Sequence, residues 1–383
     1  MGFIQHPENT LSSLRHGMEF FDGIELDVRL THDGGLILHH DRTLMASTKH
    51  QKKGVKFVEE YDLEELTSIG FTSFQQFLSD PSIKQQWKHE NKMVCIEIKR
   101  PHPSSQLGGG YFGKENHIEH ISKCIQEIDA LLLEHDIPHG SVMYYSFHKH
   151  MKKSVYHSST PHHWASLIPY IVPFGQRRFQ RAKAFPAFLG TSFSSLVKKH
   201  QSQGASILPC AIEYLKPSTN WMPIGMRVGL QGKQLQNLHR FRKGMPMYVW
   251  PVKTHVEHSV LSAGLSALTD VADPNLTWLP SGHARWTNPG TQPLSRQDKE
   301  QLDAISFEHH LDFLSDLKQR TPAWKDIDRS KKVQFLDEWA SRWNISKKDI
   351  ENAKEHIDEH LPLFVPRLIG HRGSGKTGSI VID

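Results

Sequence analysis

Short apolar runs alternate with longer amphipathic stretches along the first 275 residues of the chain. The apolar runs predict strands, and the stretches between them, with apolar residues three or four positions apart, predict helices. The predicted strands are Gly23–Val28, Leu36–His39, Met93–Ile98, Val142–Ser146, Trp164–Ile168, Ser206–Ile212, Met247–Trp250 and Leu265–Thr269. The predicted helices include Glu59–Ile69, Phe74–Leu78, His117–His135, Lys233–Arg242 and Thr254–Ala263. This alternation is typical of a parallel sheet, and about seven such units predict an α/β fold, a TIM (β/α)8 barrel that lacks one strand.

The sequence changes character between residues 280 and 365. Charged helical patterns dominate there, over Arg296–Lys318, Lys331–Trp343 and Lys347–His360. One more apolar run, Leu363–Ile369, predicts a final strand close to the end of the chain. We therefore expect a helical appendage between the predicted barrel and that last strand.

Composition adds few constraints. The net charge of +5 suits an anionic substrate, and the mean hydropathy of −0.50 allows a large core. The longest apolar stretch, Trp164–Phe174, is too short to span a bilayer, so we expect no transmembrane segment. No secretory signal pattern is visible, and the three cysteines fit no disulfide or zinc spacing, so a cytoplasmic protein is expected. Scattered basic residues without interleaved aromatics argue against a nucleic-acid partner.

Two carboxylates on one predicted strand point to a metal ion. Glu25 and Asp27 are two residues apart on a strand, so their side chains share one face. Glu97, on another predicted strand, offers a third oxygen ligand, and Lys99 shares the face of Glu97, where it would meet an anionic substrate. Carboxylates without cysteine favour a hard divalent cation, Mg²⁺ or Ca²⁺. The alternative is a set of surface charges on an edge strand, but the apolar residues between these carboxylates indicate buried strands.

Five short motifs resemble the glycerophosphodiester phosphodiesterase family in sequence and in order. They are Pro7-Glu8-Asn9-Thr10, Ile24-Glu25-Leu26-Asp27-Val28, Thr31-His32-Asp33-Gly34, His40-Asp41-Arg42-Thr43-Leu44 and Ile96-Glu97-Ile98-Lys99. Weaker matches are Tyr145-Ser146-Phe147, Val249-Trp250 and Leu268-Thr269-Asp270, and Pro251 departs from the threonine usual in the family. The resemblance covers Gly2 to about Pro274 and the C-terminal strand, and it implies a TIM barrel with metal-dependent hydrolase activity.

The family's first strand should end in His-Arg-Gly, and here that motif is His371-Arg372-Gly373 near the end of the chain. The resemblance therefore implies a circular permutation in which strand 1 is supplied last. The expected parts are residues 1–275 with barrel strands 2–8, residues 280–365 as a helical appendage or connector, and residues 366–383 with strand 1 and its loop.

The resemblance also implies roles for individual residues. Metal ligands would be Glu25, Asp27 and Glu97, the phosphate would meet Arg372 and Lys99, and His371 and His40 would be the general acid/base pair. His40 is preferred to His39 because the motif places the histidine directly before aspartate. For Phe147 and Trp250, an apolar wall for the substrate and simple barrel packing both stay open. Glu8 and Asn9 are expected to shape a loop.

The implied reaction converts a glycerophosphodiester and water into glycerol 3-phosphate and an alcohol. One alternative is a lysophospholipase D that acts on lysophospholipids, for which Tyr170–Phe174 and Phe185–Phe188 offer an apolar lip. Another is a non-catalytic barrel scaffold. Gly370–Thr377 also matches the P-loop pattern GxxxxGK[ST], but the residues that follow favour a strand over the helix that a P-loop needs. Head group, choice of metal and oligomeric state are not determined by the sequence.

Overall fold

Strands and helices alternate along the chain as the sequence predicts. The computed structural model describes residues 4–44, 57–167, 192–215, 226–273, 276, 285–288 and 290–377. The strands are β1 (Gly23–Leu30), β2 (Leu36–Leu38), β3 (Met93–Ile98), β4 (Val142–Ser146), β5 (His163–Ser166), β6 (Leu208–Ala211), β7 (Met247–Val252), β8 (Ser266–Thr269) and β9 (Leu368–Gly370). Each strand coincides with an apolar run of the sequence. β3 and β4 have the predicted ends, and the ends of the other strands are shifted.

The α-helices fill the intervals between these strands and most of the region before β9. They are α1 (Leu11–Phe20), α2 (Leu63–Ser68), α3 (Phe74–Ser79), α4 (Pro81–His89), α5 (Lys114–Glu134), α6 (Met151–Ser158), α7 (Phe193–Gln203), α8 (Gly232–Arg242), α9 (Thr254–Ser262), α10 (Arg296–Ala304), α11 (His310–Gln319), α12 (Arg329–Trp343) and α13 (Lys347–Glu355). In the described ranges, none of them combines the length and the apolar composition needed to cross a bilayer.

Two helices predicted as continuous are interrupted. The predicted helix Glu59–Ile69 is a 3₁₀ turn followed by α2, because Asp62 takes an extended conformation and its backbone N–H donates to the Glu65 carboxylate at 3.0 Å. This capping arrangement starts a new helix at Leu63. The predicted helix Arg296–Lys318 is likewise divided into α10 and α11 by a 3₁₀ turn. Apolar periodicity alone missed the first break because this capping depends on the polar side chain of Glu65.

The chain divides into two compact units. Unit 1 consists of Met1–Ser166, Asp270–Asp273 and Ile369–Asp383, and unit 2 consists of Leu167–Thr269 and Pro274–Leu368. This division differs from the three parts expected from the sequence, which therefore remain a prediction.

The sheet of unit 1 is built around β1. β1 pairs in parallel with β3 on one side and with Ile369 and Gly370 of β9 on the other. β4 and β5 extend the parallel ladder beyond β3, and β2 turns back antiparallel to β1. The register places Asp27 beside Glu97 and Glu97 beside Tyr145. Because paired residues on neighbouring strands project to the same face, these polar side chains gather there.

Helix α1 packs tightly on β1 in unit 1. Leu14 and Met18 of α1 share one buried apolar cluster with Ile24 and other residues of the sheet. A glycine at position 17 makes this approach possible, since a Cβ there would lie 2.4 Å from the carbonyl oxygen of Gly373. The N-terminal helix and the C-terminal loop are therefore in direct contact.

Unit 2 holds the ladder of β6, β7 and β8, whose strands are parallel. The N–H of Ala267 on β8 donates to the carbonyl of Arg367 at 2.8 Å, which places the residue before β9 beside β8. The region predicted as a helical appendage has its own apolar core around Trp324, Trp339 and Trp343. Ring centroids of Trp339 lie 5.9 Å from Trp324 and 6.1 Å from Trp343.

The last strand thus occupies the position expected of strand 1, next to β1. In unit 1 the strands follow the order β5-β4-β3-β1-β9, with β2 attached to β1 outside this order, and in unit 2 they follow the order β8-β7-β6. Parallel strands alternating with helices in this order confirm the predicted fold class, a TIM-type α/β barrel. The circular permutation as the origin of this order stays a prediction.

We expect Ile369→Ala to lower the free energy of unfolding by about 2–5 kcal/mol, the usual cost of truncating a fully buried apolar side chain. Urea titrations followed by circular dichroism measure the change. Leu133→Ala is the control, because this side chain on α5 is 73% exposed. Equal stability of both variants would show that β9 is not part of the folded core.

Candidate active site

Three buried carboxylates form the centre of the site in unit 1. Glu25 and Asp27 project from β1 and Glu97 from β3, and all three are buried. One oxygen from each lies within 4.8 Å of the others. The alternation of a β-strand explains the pair on β1, and the parallel register explains the third carboxylate. The structure therefore brings together the three residues that the sequence suggested as metal ligands.

The pKa values of Glu25 and Asp27 shift in opposite directions. Burial, with the charges of Asp27 and Glu97, raises the pKa of Glu25 to about 8. Burial would also raise the pKa of Asp27, but Lys99, His40 and Arg372 together hold it well below its usual range. The group therefore depends on positive charge close by.

Lys99 supplies part of that charge. Its ammonium Nζ lies 2.8 Å from Asp27 Oδ1 and 2.5 Å from Glu97 Oε1. A flexible lysine chain two residues beyond Glu97 reaches back to the same face, as the strand alternation predicts. Three buried carboxylates without sulfur or imidazole donors among them fit a hard divalent cation such as Mg²⁺ or Ca²⁺. A divalent cation would favour the ionised form of Glu25, whose pKa is raised by burial and by the neighbouring carboxylates.

The loop after β9 brings in a second cation, Arg372. Its guanidinium lies 2.6 Å from Glu8 Oε1 and 3.4 Å from Asp27 Oδ2, and its backbone N–H donates to Glu25 Oε2 at 2.9 Å. Arg372 has φ +55°, a left-handed conformation that costs about 1–3 kcal/mol for a residue with a side chain. Its carbonyl accepts from the N–H of Asn9 at 3.1 Å, so the neighbouring loop holds this strained residue in place.

Asn9 also fixes the carboxylate of Asp27. Its side-chain amide donates to Asp27 Oδ2 at 2.9 Å, and its side-chain oxygen accepts from the backbone N–H of Asp27 at 3.1 Å. The Glu8 carboxylate accepts a hydrogen bond from the Arg372 guanidinium, and the backbone N–H of Glu8 donates to the Thr377 hydroxyl. The loop-shaping role expected for Glu8 and Asn9 is therefore consistent with their contacts, and both residues also touch the charged groups of the site.

His371 is oriented by a residue to which the sequence assigned no role. Its Nδ1 lies 2.6 Å from Asp270 Oδ1, and its Nε2 lies 3.7 Å from Glu25 Oε2. Burial lowers the pKa of His371, but the hydrogen bond with Asp270 and the charge of Glu25 outweigh it and raise the pKa above its ordinary value. The Thr269-Asp270 sequence at the end of β8 was the available signal, but no spacing connected it with His371.

A cavity of about 460 Å³ opens beside these groups. Its lining consists of Arg29, His40, Asp41, Arg42, Thr43, Glu97, Ile98, Lys99, Arg100, Ser146 and Phe147. His40 reaches this cavity and its Nδ1 lies 2.8 Å from Asp41 Oδ1. His39 is instead packed edge-on against Phe71, with ring centroids 5.0 Å apart, and burial lowers its pKa to about 4. This arrangement supports the choice of His40 over His39.

Other sequence candidates are placed differently. Phe147 lines the cavity and is 40% exposed. Trp250 lies on β7 in unit 2, and its proposed role in substrate binding stays a prediction. Arg29 was missed, although strand alternation places it on the face of Asp27, and it donates to the carbonyl of His40 at 2.9 Å.

In the loop Gly370–Thr377, backbone N–H groups that a P-loop would direct at a phosphate donate to acceptors within the protein. The N–H of Gly373 donates to the carbonyl of Glu25 at 3.0 Å, and that of Ser374 to the Ser13 hydroxyl at 2.8 Å. A P-loop instead directs successive N–H groups at bound phosphate. The nucleotide-binding alternative therefore finds no support in this loop.

Asp270→Asn should lower the pKa of His371, because a neutral amide no longer favours the imidazolium. NMR titration of the metal-free protein measures this pKa, and the signal is identified by its loss in His371→Gln. Asp136→Asn, at an exposed carboxylate, is the matched control. An unchanged pKa in Asp270→Asn would disprove the contact.

Comparison with known proteins bears on the same part of the chain. Residues 3–148 match the model of the glycerophosphoryl diester phosphodiesterase family. A glycerophosphodiester phosphodiesterase of Caldanaerobacter subterraneus subsp. tengcongensis is 44% identical over 101 residues, 24% of this chain and 40% of that protein. One of Bacillus altitudinis is 45% identical over 62 residues, 16% of this chain and 24% of that protein. The chain thus spans less than half the length of these curated relatives in the matched regions.

Solved structures of named phosphodiesterases show weaker similarity. A glycerophosphodiester phosphodiesterase from Thermotoga maritima has a TM-score of 0.42 and 16% identity, covering 70% of this chain and 90% of that one. An Oleispira antarctica phosphodiesterase, solved with the product sn-glycerol-3-phosphate, has a TM-score of 0.44 and 14% identity over 69% and 88% of the two chains. Similarity at this level does not by itself establish a shared function. By the match of residues 3–148 and the two sequence relatives, this N-terminal part of the chain is similar to the glycerophosphoryl diester phosphodiesterase family.

Proposed function

We propose that this protein is a metal-dependent glycerophosphodiester phosphodiesterase that releases glycerol 3-phosphate and an alcohol. The observation that carries the proposal is the buried group of Glu25, Asp27 and Glu97, which lies against the cations Lys99 and Arg372. Phosphodiester hydrolysis requires neutralisation of the phosphate charge together with a base and an acid, and one end of the unit 1 sheet holds residues suited to each task.

Glu25, Asp27 and Glu97 would hold the divalent ion, Mg²⁺ or Ca²⁺, through their carboxylate oxygens. When bound, such an ion neutralises charge on the phosphate and lowers the pKa of water. Asn9 keeps the Asp27 carboxylate in a fixed orientation through its paired hydrogen bonds. Because the three carboxylates are buried, little water competes with them for the ion.

Lys99 and Arg372 would bind the phosphate of the substrate. Each contacts a carboxylate of the centre, so each lies at the edge of the metal site. Lys99 has a long flexible chain and three N–H donors, which allows it to exchange a carboxylate partner for a phosphate oxygen. Arg372 is fixed by Glu8, and this fixed guanidinium would position the phosphate.

His371 and His40 would carry the acid and base steps, and each has an aspartate at Nδ1. His371 pairs with Asp270, and His40 pairs with Asp41. An aspartate at Nδ1 fixes the tautomer, so the proton exchanged with substrate or water is the one at Nε2. One histidine would take a proton from the attacking water and the other would give a proton to the leaving alkoxide.

The lysophospholipase D alternative remains open for experiment. The two apolar segments that would favour it, residues 170–174 and 185–188, lie outside the described residues. Hydrolysis of lysophosphatidylcholine in preference to glycerophosphocholine would favour that alternative. A non-catalytic scaffold would neither bind a divalent ion nor hydrolyse either compound.

We expect Glu97→Ala to reduce kcat/KM for glycerophosphocholine at least about 100-fold, because it removes one of the three proposed metal ligands. Calorimetry with Mg²⁺ and Ca²⁺ should show weaker binding in the same variant. Glu119→Gln, at an exposed carboxylate on α5, serves as the control and should retain both properties. Wild-type activity in Glu97→Ala would show that the metal assignment is wrong.

His371→Ala and His40→Ala should each reduce kcat by about 10²–10⁴-fold, the range for loss of a general acid or base. Metal binding should persist, which separates these variants from Glu97→Ala. A substrate with p-nitrophenol as leaving group should restore activity mainly in the variant that lacks the general acid, since this leaving group needs no proton.

His39→Asn is the neighbouring control and should retain far more activity than His40→Ala, because the His39 ring packs against Phe71. Full activity in His371→Ala would contradict the proposed catalytic role of His371, the residue that follows β9. Equal losses in His39→Asn and His40→Ala would contradict the choice between the two histidines.

A further inference from the structure

The cavity beside the carboxylate centre has a surplus of positive charge. Its lining includes four cationic side chains, Arg29, Arg42, Lys99 and Arg100, against two acidic ones, Asp41 and Glu97. A concave surface lined mainly by one sign of charge concentrates ions of the opposite sign. Among the described residues, only some of these cations have an acidic partner.

Several cations at the site have an acidic partner. Lys99 contacts Asp27 and Glu97. Arg372 contacts Glu8 at 2.6 Å, and a guanidinium nitrogen of Arg29 lies 3.9 Å from Glu59. These cations are balanced within the protein, so they give no reason to expect further negative charge on the substrate.

Arg42 and Arg100 differ from these cations. Across the ranges that the structure describes, neither guanidinium has a hydrogen bond or an ion pair with another residue. The segments outside those ranges contain a single acidic residue, Asp383, so they offer little negative charge for either arginine. Both arginines line the same cavity.

The two arginines also act on each other. Burial lowers the pKa of Arg100, and the positive charge of Arg42 lowers it further. Arg42 is exposed, and an exposed arginine in water needs no partner. Arg100 is half-buried, however, and two guanidiniums that repel each other in one cavity are suited to an anion that bridges them.

A count of charges indicates what kind of anion fits. The three carboxylates would be balanced by one divalent ion and Lys99. Arg372 and Arg29 have Glu8 and Glu59, and Asp41 has His40. Arg42 and Arg100 remain, with two positive charges. A phosphodiester brings one negative charge, which leaves part of this surplus unmatched.

We infer that the substrate is a glycerophosphodiester whose alcohol part carries its own phosphate group, which Arg42 and Arg100 bind at the cavity. This inference rests on the proposed function and names the substrate class of that site. Guanidinium groups bind phosphate oxygens through paired, charge-assisted hydrogen bonds, so two of them select a phosphorylated alcohol over a neutral or cationic one.

The test compares kcat/KM of the purified full chain for glycerophosphoinositol 4-phosphate, glycerophosphoinositol and glycerophosphocholine. The first two differ only in the extra phosphate, and the third has a cationic alcohol. We expect the phosphorylated substrate to be preferred about tenfold or more, the effect of at least one added charge-assisted hydrogen bond. Raising the salt concentration should reduce this preference, because Arg42 is exposed to solvent.

The variants Arg42→Gln, Arg100→Gln and the double variant should lose the preference, mainly through a higher KM for the phosphorylated substrate. Their kcat/KM for glycerophosphoinositol should fall less than their kcat/KM for the phosphorylated substrate. Arg42→Glu should turn the preference towards glycerophosphocholine. The double variant Lys347→Gln/Lys348→Gln removes two exposed charges of α13 that do not line the cavity, so it should keep the wild-type preference.

Two failures can be told apart. If wild type hydrolyses none of the three compounds with Mg²⁺ or Ca²⁺ present, the proposed function and this inference both fall. If it hydrolyses all three with similar kcat/KM, or if the arginine variants lower activity on all of them equally, only the inference is overturned. Arg42→Gln decides this point even if Arg100→Gln does not fold, because Arg42 is exposed.

Discussion

Repulsion among three buried carboxylates is the constraint on which the rest of this site depends. Glu25, Asp27 and Glu97 lie on neighbouring strands with their oxygens within 4.8 Å. Buried like charges at such distances are costly unless cations balance them. Lys99 and Arg372 contact the group directly, yet burial, together with the charges of Asp27 and Glu97, still raises the pKa of Glu25. A divalent ion would remove the remaining repulsion, so the same electrostatic demand explains both the cationic surroundings and the proposed metal.

The loop after β9 supplies part of the positive charge that the buried carboxylates require. Arg372 adopts a left-handed conformation and directs its backbone N–H at Glu25 and its guanidinium at Glu8 and Asp27. Asn9 holds the carbonyl of Arg372 and also bonds Asp27. Contacts between the first residues and the last residues of the chain thus support one strained turn.

The positions of His371 and His40 follow from the strands that precede them. His371 leaves the end of β9 beside Arg372 and meets Asp270, which follows β8. His40 follows β2 and pairs with its neighbour Asp41. Each imidazole has an aspartate at Nδ1, which leaves Nε2 for proton exchange. Such pairs suit acid and base chemistry at a phosphate, and they explain why residues from distant parts of the sequence serve one reaction in the proposed function.

The sequence by itself determined the strands, the fold class and the carboxylates, because strand alternation and apolar runs are local properties of the chain. It also singled out His371 and Arg372 through the family motif, although these residues lie more than 340 positions from Glu25. The tertiary structure decided what no local pattern contains. It placed Asp270 against His371 and Asn9 against Asp27, and it left Arg42 and Arg100 in one cavity without an acidic partner among the described residues. Such contacts arise only when strands distant in sequence are brought into register, and burial then sets how strongly the charges interact.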